Sequence, residues 1–264
     1  MLTDFSLGLL IGVIMALTGA GGGILAVPLL VFGAHLSMAQ AGPVGLLAVG
    51  MAAALGASLG LRAGMVRYRA ALLMSVMGMA CSPVGLWLAY RANNRWLTIL
   101  FSFILLFVAY RTFRQTGKQP AHLLAERNPL PCVRDSSGRF LWTSQCVRTL
   151  GIFGCIAGLL SGLLGVGGGF VLVPALKRYS DLEIHSVVAT SLAVIALVSA
   201  TGVVSSIVVG NLDWPVAIPF SAGALAGMTG GRLAASRLPE PHLQKGFAIV
   251  AALVAAGMIA KIMM

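Results

Sequence analysis

The chain has 264 residues, of which 58% are hydrophobic and only 9% charged, with a mean hydropathy of +0.95. A soluble domain carries roughly 25% charged residues, so water is excluded as the main solvent, and the continuous apolar runs exclude the short alternating strands of a membrane β-barrel. The net charge of +11 does not point to nucleic acid, because no basic domain stands outside the 115–147 loop and membrane proteins gather Lys and Arg in cytoplasmic loops.

In chain order, apolar segments fall near 6–33, 38–61, 70–90, 97–113, 149–176, 186–210, 214–235 and 243–263. Each approaches or exceeds the roughly 20 residues that cross a bilayer as helix, so the expected fold class is an all-α integral membrane protein. The first residues hold Asp4 and no Lys or Arg, so the basic start of a cleavable signal is not expected.

The first segment also opens an internal repeat. GAGGGILAVP at 19–28 returns as GVGGGFVLVP at 165–174, an offset of 146 residues. The same ungapped offset pairs Gly8 with Gly154, Gly12 with Gly158, Gly56 with Gly202, Gly64 with Gly210, Ser75 with Ser221 and Gly85 with Gly231. The chain therefore reads as a first membrane repeat (1–114), a polar basic linker (115–147) and a second membrane repeat (148–264).

As one straight helix, 6–33 would be about 42 Å long against a hydrocarbon core of about 30 Å. It breaks instead at AGGG, leaving apolar arms at 8–19 and 24–33 that are each too short to span; 149–176 repeats the pattern. Glycine-rich breaks at membrane depth survive only where protein or a water-filled cavity surrounds them. If both segments are hairpins that re-enter on the side they left, each half crosses three times and the halves are inverted. Fifteen of the basic residues, including Lys177, Arg178, Arg232, Arg237 and Lys245, then share the cytoplasmic side, with Arg91, Arg95 and Lys261 opposite. The positive-inside rule favours that distribution. A broken, tilted single helix is the alternative.

Each glycine turn would present the N-terminus of the following helix near the midplane. Unsatisfied N–H groups, the positive end of the helix dipole and the absence of Cβ atoms suit an anion there. The expected substrate-binding residues are Gly21, Gly22, Gly23 and Pro28 in the first half and Gly167, Gly168, Gly169 and Pro174 in the second, each proline bending its helix. Thr190 and Ser191 are added as hydroxyl donors, or else bond their own backbone. Gln40 is the nearest polar candidate in the first half, and its position suggests a segment end at least as strongly. The acidic residues Asp4, Glu126, Asp135, Asp181, Glu183, Asp213 and Glu240 all fall at segment ends or in the linker. No cation site or carboxylate proton relay is therefore expected, nor a metal, a cofactor or catalytic residues. Cys81 and Cys155 read as small packing residues and Cys132 and Cys146 as free thiols of a cytoplasmic loop, since no CxxC spacing occurs.

GVGGGFVLVPAL (165–176) followed by VVATSL (187–192), with GAGGGILAVPLL in the first half, resembles the TauE/SafE family of sulfite exporters. The resemblance implies a multi-pass permease of the bacterial inner membrane that exports sulfite or a related sulfur oxyanion or organosulfonate. Its alternatives are an importer or channel for another small sulfur-containing anion and, more remotely, a membrane scaffold or enzyme subunit. Pro43, Val44 and Gly45 depart from the pattern, standing where the second half has Ala-Thr-Ser.

Overall fold

A computed structural model describes residues 2–115, 132, 143–210, 212–235 and 249–258. Arg232, Arg237, Lys245 and Lys261 lie wholly or in their side chains outside that set, as does most of the linker. The described residues are helical apart from turns and one isolated bridge. In chain order they form α1 (Leu2–Thr18), a 3-10 segment (Gly19–Leu25), α2 (Ala26–Gly33), α3 (Met38–Arg62), α4 (Tyr68–Arg91) and α5 (Asn94–Gln115). The second half forms α6 (Ser144–Leu164), α7 (Gly169–Tyr179), α8 (Ile184–Val209), α9 (Trp214–Ala235) and α10 (Ile249–Met258).

Local chemistry sets the ends. Ser37 caps α3, accepting from the Gln40 amide while Gln40 Oε1 accepts from the Ser37 amide, so Gln40 belongs to a capping box. At α6 the Thr143 side chain accepts from the Cys146 amide, a cap without the reciprocal bond. Past the ends of α3 and α8 stand Gly64 and Gly210, a matched pair with φ of +67° and +76°. A Cβ at Gly210 would meet nothing within 4 Å. Gly210→Ala is therefore expected to cost only the roughly 1–2 kcal/mol of left-handed backbone for an L-residue, read as a modest fall in the melting temperature in detergent.

By length and composition, α3, α4, α6 and α8 are suited to cross a membrane. The inclusion of α6 differs from the expectation of two short arms: the helix begins at Ser144 and runs 21 residues, because the Thr143 cap starts it inside the polar linker. Large apolar side chains face outward, among them Phe103, Phe107 and Tyr110 along one stripe of α5 and Val208 on α8. Tyr68, Trp87, Trp96 and Trp214 are exposed near helix ends, where amphipathic rings meet the headgroup layer.

Packing follows the repeat. Gly8 and Gly12 of α1 lie against Phe220, Ala224 and Met228 of α9, while Gly154 and Gly158 of α6 lie against Met74 and Gly78 of α4. These are the same contacts 146 positions apart, and in both pairs residue numbers rise together, so the helices run parallel. In the central pair, α3 Gly50 meets Ser199, Gly56 meets Leu192 and Gly60 meets Ala189 of α8. There the numbers run in opposite senses, so α3 and α8 are antiparallel. The first helix of each half thus packs on the other half, with glycine removing the side chains that would hold the backbones apart.

The segment after α1 doubles back: the Leu7 side chain rests against Gly33, at the far end of α2. In the second half the ring of Phe153 stacks on that of Tyr179, centroids 5.2 Å apart, at the equivalent two positions.

The cysteine readings are corrected. Cys81 of α4 is disulfide-bonded to Cys155 of α6, and Cys132 to Cys146, leaving no free thiol. The first bond lies on the glycine-lined α4–α6 contact, which brings the two Cα atoms within 5.5 Å. The second forms because Cys132 pairs with the end of α7, donating its amide to the Tyr179 carbonyl and accepting from the Asp181 amide. That docking sets it beside the start of α6, which the spacing of the cysteines alone does not show. Maleimide is accordingly expected to label no cysteine of the denatured, unreduced protein. Protease nicking of the linker before Cys132 should leave the halves migrating together until reductant is added.

Candidate functional site

The two glycine turns meet around the α3–α8 crossing. A Cβ on Gly23 would come within 3.0 Å of Val49 Cγ1 and 3.3 Å of the Val166 carbonyl oxygen; a Cβ on Gly167 would come within 3.1 Å of that same Val49 atom. One side chain of α3, Val49, therefore lies against both turns. Gly42 and Gly45 of α3 lie directly on Gly165. This accounts for Gly45: a Cβ there would already stand 2.9 Å from the Gly165 oxygen, leaving no room for the serine found at the equivalent position 191.

The turns themselves differ. Gly19–Leu25, which contains Gly21, Gly22 and Gly23, continues as 3-10 helix into α2. Pro28 is buried in the first turn of α2, where its missing N–H removes no helical bond. The second turn is left-handed: Gly165 caps the end of α6 at φ +72°, and Gly167 and Gly168 follow at +74° and +67°. Gly168 is the N-cap of α7 and carries no side chain to cap it. The Gly168 carbonyl takes the Val171 amide, while the Gly169 and Phe170 amides have no acceptor within the helix. Pro174 lies well inside α7 and frees the Phe170 carbonyl.

Thr190 and Ser191 are not at this turn. Thr190 Oγ1 accepts the Arg67 amide at 3.1 Å, tying the α3–α4 connection to α8, and its neighbour Ala189 packs on Gly60. Both hydroxyl residues are fully buried, Ser191 without a partner among the described residues. They sit about 12 Å along α8 from the residue that faces the turn. That residue is Ser199, whose Oγ would lie 3.3 Å from a Cβ on Gly167. Ser82 of α4 approaches one helical turn further on, 3.5 Å from a Cβ on Gly202. Ser82, Ser161 and Ser199 are fully buried and their hydroxyls find no partner among the described residues.

Sequence reasoning missed these three serines. A signal was present: their equivalents 146 positions away are Met228, Met15 and Ala53, so the two halves differ in polarity where the turns meet. Beside the second turn, a recess lined by Met38, Gly42, Pro43, Leu86, Tyr90 and Gly162 opens between α3, α4 and α6. The Tyr90 hydroxyl is buried without a partner among the described residues.

The family description "Sulfite exporter TauE/SafE" matches residues 5–258. The chain belongs to that family. With its apolar helices, it is a multi-pass membrane transport protein. It is 26% identical over 238 residues to "Probable membrane transporter protein YunE" of Bacillus subtilis (strain 168), covering 87% of this chain and 85% of the relative. It is also 26% identical over 235 residues to "Probable membrane transporter protein" of Xylella fastidiosa (strain 9a5c), covering 87% and 83%. A second Xylella fastidiosa protein of the same name, from strain Temecula1 / ATCC 700964, is 26% identical over 236 residues, covering 88% and 83%. No solved structure matches the chain. Family and relatives alike are named for transport rather than catalysis.

Proposed function

We propose that this TauE/SafE protein is a bacterial inner-membrane permease exporting sulfite, or a related sulfur oxyanion or organosulfonate, by alternating access at a site between two inverted repeats. The observation that carries the reading is the uncapped N-terminus of α7, set among left-handed glycines where the two halves meet. Such an end attracts an anion through its free N–H groups and its dipole. The choice of sulfur anion and of export comes from the family name.

Inversion is supported by the direction of α3 and α8. They are repeat equivalents and run antiparallel, so a rotation exchanging them has its axis perpendicular to both. If they cross the bilayer, that axis lies in the membrane plane, as in many secondary transporters. Four crossings per half would instead run them the same way. The doubled-back segments α1–α2 and α6–α7 are read as re-entrant hairpins in place of a crossing in each half, α6 owing its extra length to the turns that Thr143 starts inside the linker. The linker, Lys177 and Arg178 are then cytoplasmic, and the recess beside Tyr90 opens on the opposite face, where α3 begins.

Saturable sulfite flux in proteoliposomes is the expected result, and no flux of any sulfur anion would remove the reading. For topology, the native cysteines are paired, so a cysteine placed by Arg178→Cys is the intended target of thiol reagents. An impermeant maleimide added outside intact cells is expected to leave it unlabelled. Labelling from outside would reverse the orientation.

A further inference from the structure

Resting on that proposed transport, we infer that the anion passes the α7 site in its singly charged form, with Ser199 and Ser82 as hydroxyl partners that set this preference. Ser199 is fully buried, unpartnered among the described residues and aimed at Gly167, directly before the α7 N-cap. Ser82 approaches one turn along α8. Hydroxyls both donate and accept, so together with the Gly169 and Phe170 amides they suit an anion that keeps one O–H group or one organic substituent.

The charge balance decides between ionic forms. Among the described residues, the side chains buried as a whole and polar are all serine or threonine, while Arg67 and Tyr90, each with one buried polar atom, stand at either end of α4. The charged groups on the surrounding elements sit at helix ends: Arg62 on α3, Arg67, Arg69 and Arg91 at the two ends of α4, Arg148 on α6, Lys177 and Arg178 on α7, and Asp181, Glu183 and His185 about the start of α8. The desolvation cost of an ion rises with the square of its charge, and neutral donors offset it only in part. A doubly charged oxyanion gains most from arginine or lysine in direct contact; among the described residues the side chains placed against the turn are neutral. The hydrogensulfite ion, or an alkanesulfonate of the same charge, meets the site at far lower cost than the sulfite dianion.

The test measures initial sulfite flux in proteoliposomes, corrected for protein-free vesicles, while pH and total sulfite are varied independently. The rate is expected to follow hydrogensulfite concentration. At fixed total sulfite below saturation it should fall by roughly tenfold per pH unit above the second ionisation, and it should stay constant when hydrogensulfite is held constant. A rate that follows total sulfite or the dianion, or that changes with pH at constant hydrogensulfite, overturns the inference but leaves the transporter reading standing. Absence of flux at every pH overturns both. Ser199→Ala, with unchanged helicity and elution volume, is expected to lower hydrogensulfite flux several-fold, and Ser199→Thr to restore most of it. Wild-type flux in a folded Ser199→Ala protein removes the serine from the site.

Discussion

Gly168→Val is expected to abolish anion flux in proteoliposomes and to lower the melting temperature of the protein in detergent. Gly168 has φ +67°, a region that costs an L-residue roughly 1–2 kcal/mol and a β-branched one more. Its Cβ would also come within 2.9 Å of the Ala157 carbonyl carbon, so the first turn of α7 has to move away from α6. That shift displaces the free amides of Gly169 and Phe170, which are the proposed contacts to the anion. Gly22→Val tests the first-half turn. There a Cβ would come within 2.7 Å of the Met15 nitrogen, but Gly22 is not among the residues with positive φ. Its stability loss comes from contact alone and is expected to be the smaller of the two. Full flux from folded Gly168→Val protein would detach the α7 N-terminus from transport.

The second large effect concerns the contact between the halves. Gly158→Leu is expected to destabilise the protein by at least the roughly 1–3 kcal/mol of overpacking. A Cβ there would run into the backbone of Gly78, with Gly78 Cα at 2.5 Å, and backbone has no other rotamer to adopt. The Cys81–Cys155 bond holds the same pair of helices together. The side chain therefore forces a local splay of α4 from α6, seen as a lower melting temperature and weaker hydrogen-exchange protection there. Gly12→Leu places the same change at the equivalent α1–α9 contact, against Ala224 and Met228, where no disulfide restrains the helices. It is expected to cost more flux than Gly158→Leu. Gly230→Leu, with nothing within 4 Å of its Cβ, is the control and should behave like the wild type.

Much of this arrangement was legible in the residue order. Gln40 read as a segment end and stands in the capping box of α3. The matched glycines at 8/154, 12/158 and 85/231 became the close helix contacts, because a contact that needs the absence of a Cβ in one half needs it in the other. The polar contacts were less legible. Thr190 carries a hydroxyl next to a motif, but its direction depends on the rotation of α8, and that rotation hands it to the Arg67 amide. Ser199 stands out only once the α3–α8 crossing places it against Gly167.

By itself the sequence determined the solvent, the 146-residue offset of the repeated motif and the positions of both glycine breaks. Those follow from composition, hydropathy and self-similarity, which need no partner in space. Only the tertiary structure decided the direction of α3 against α8, the pairing of all four cysteines, the left-handed form of the second turn alone, and the serines that face it. Each of these depends on which surfaces of distant segments come together, and a Cβ-free backbone can approach its partner at angles that a hydropathy pattern does not encode.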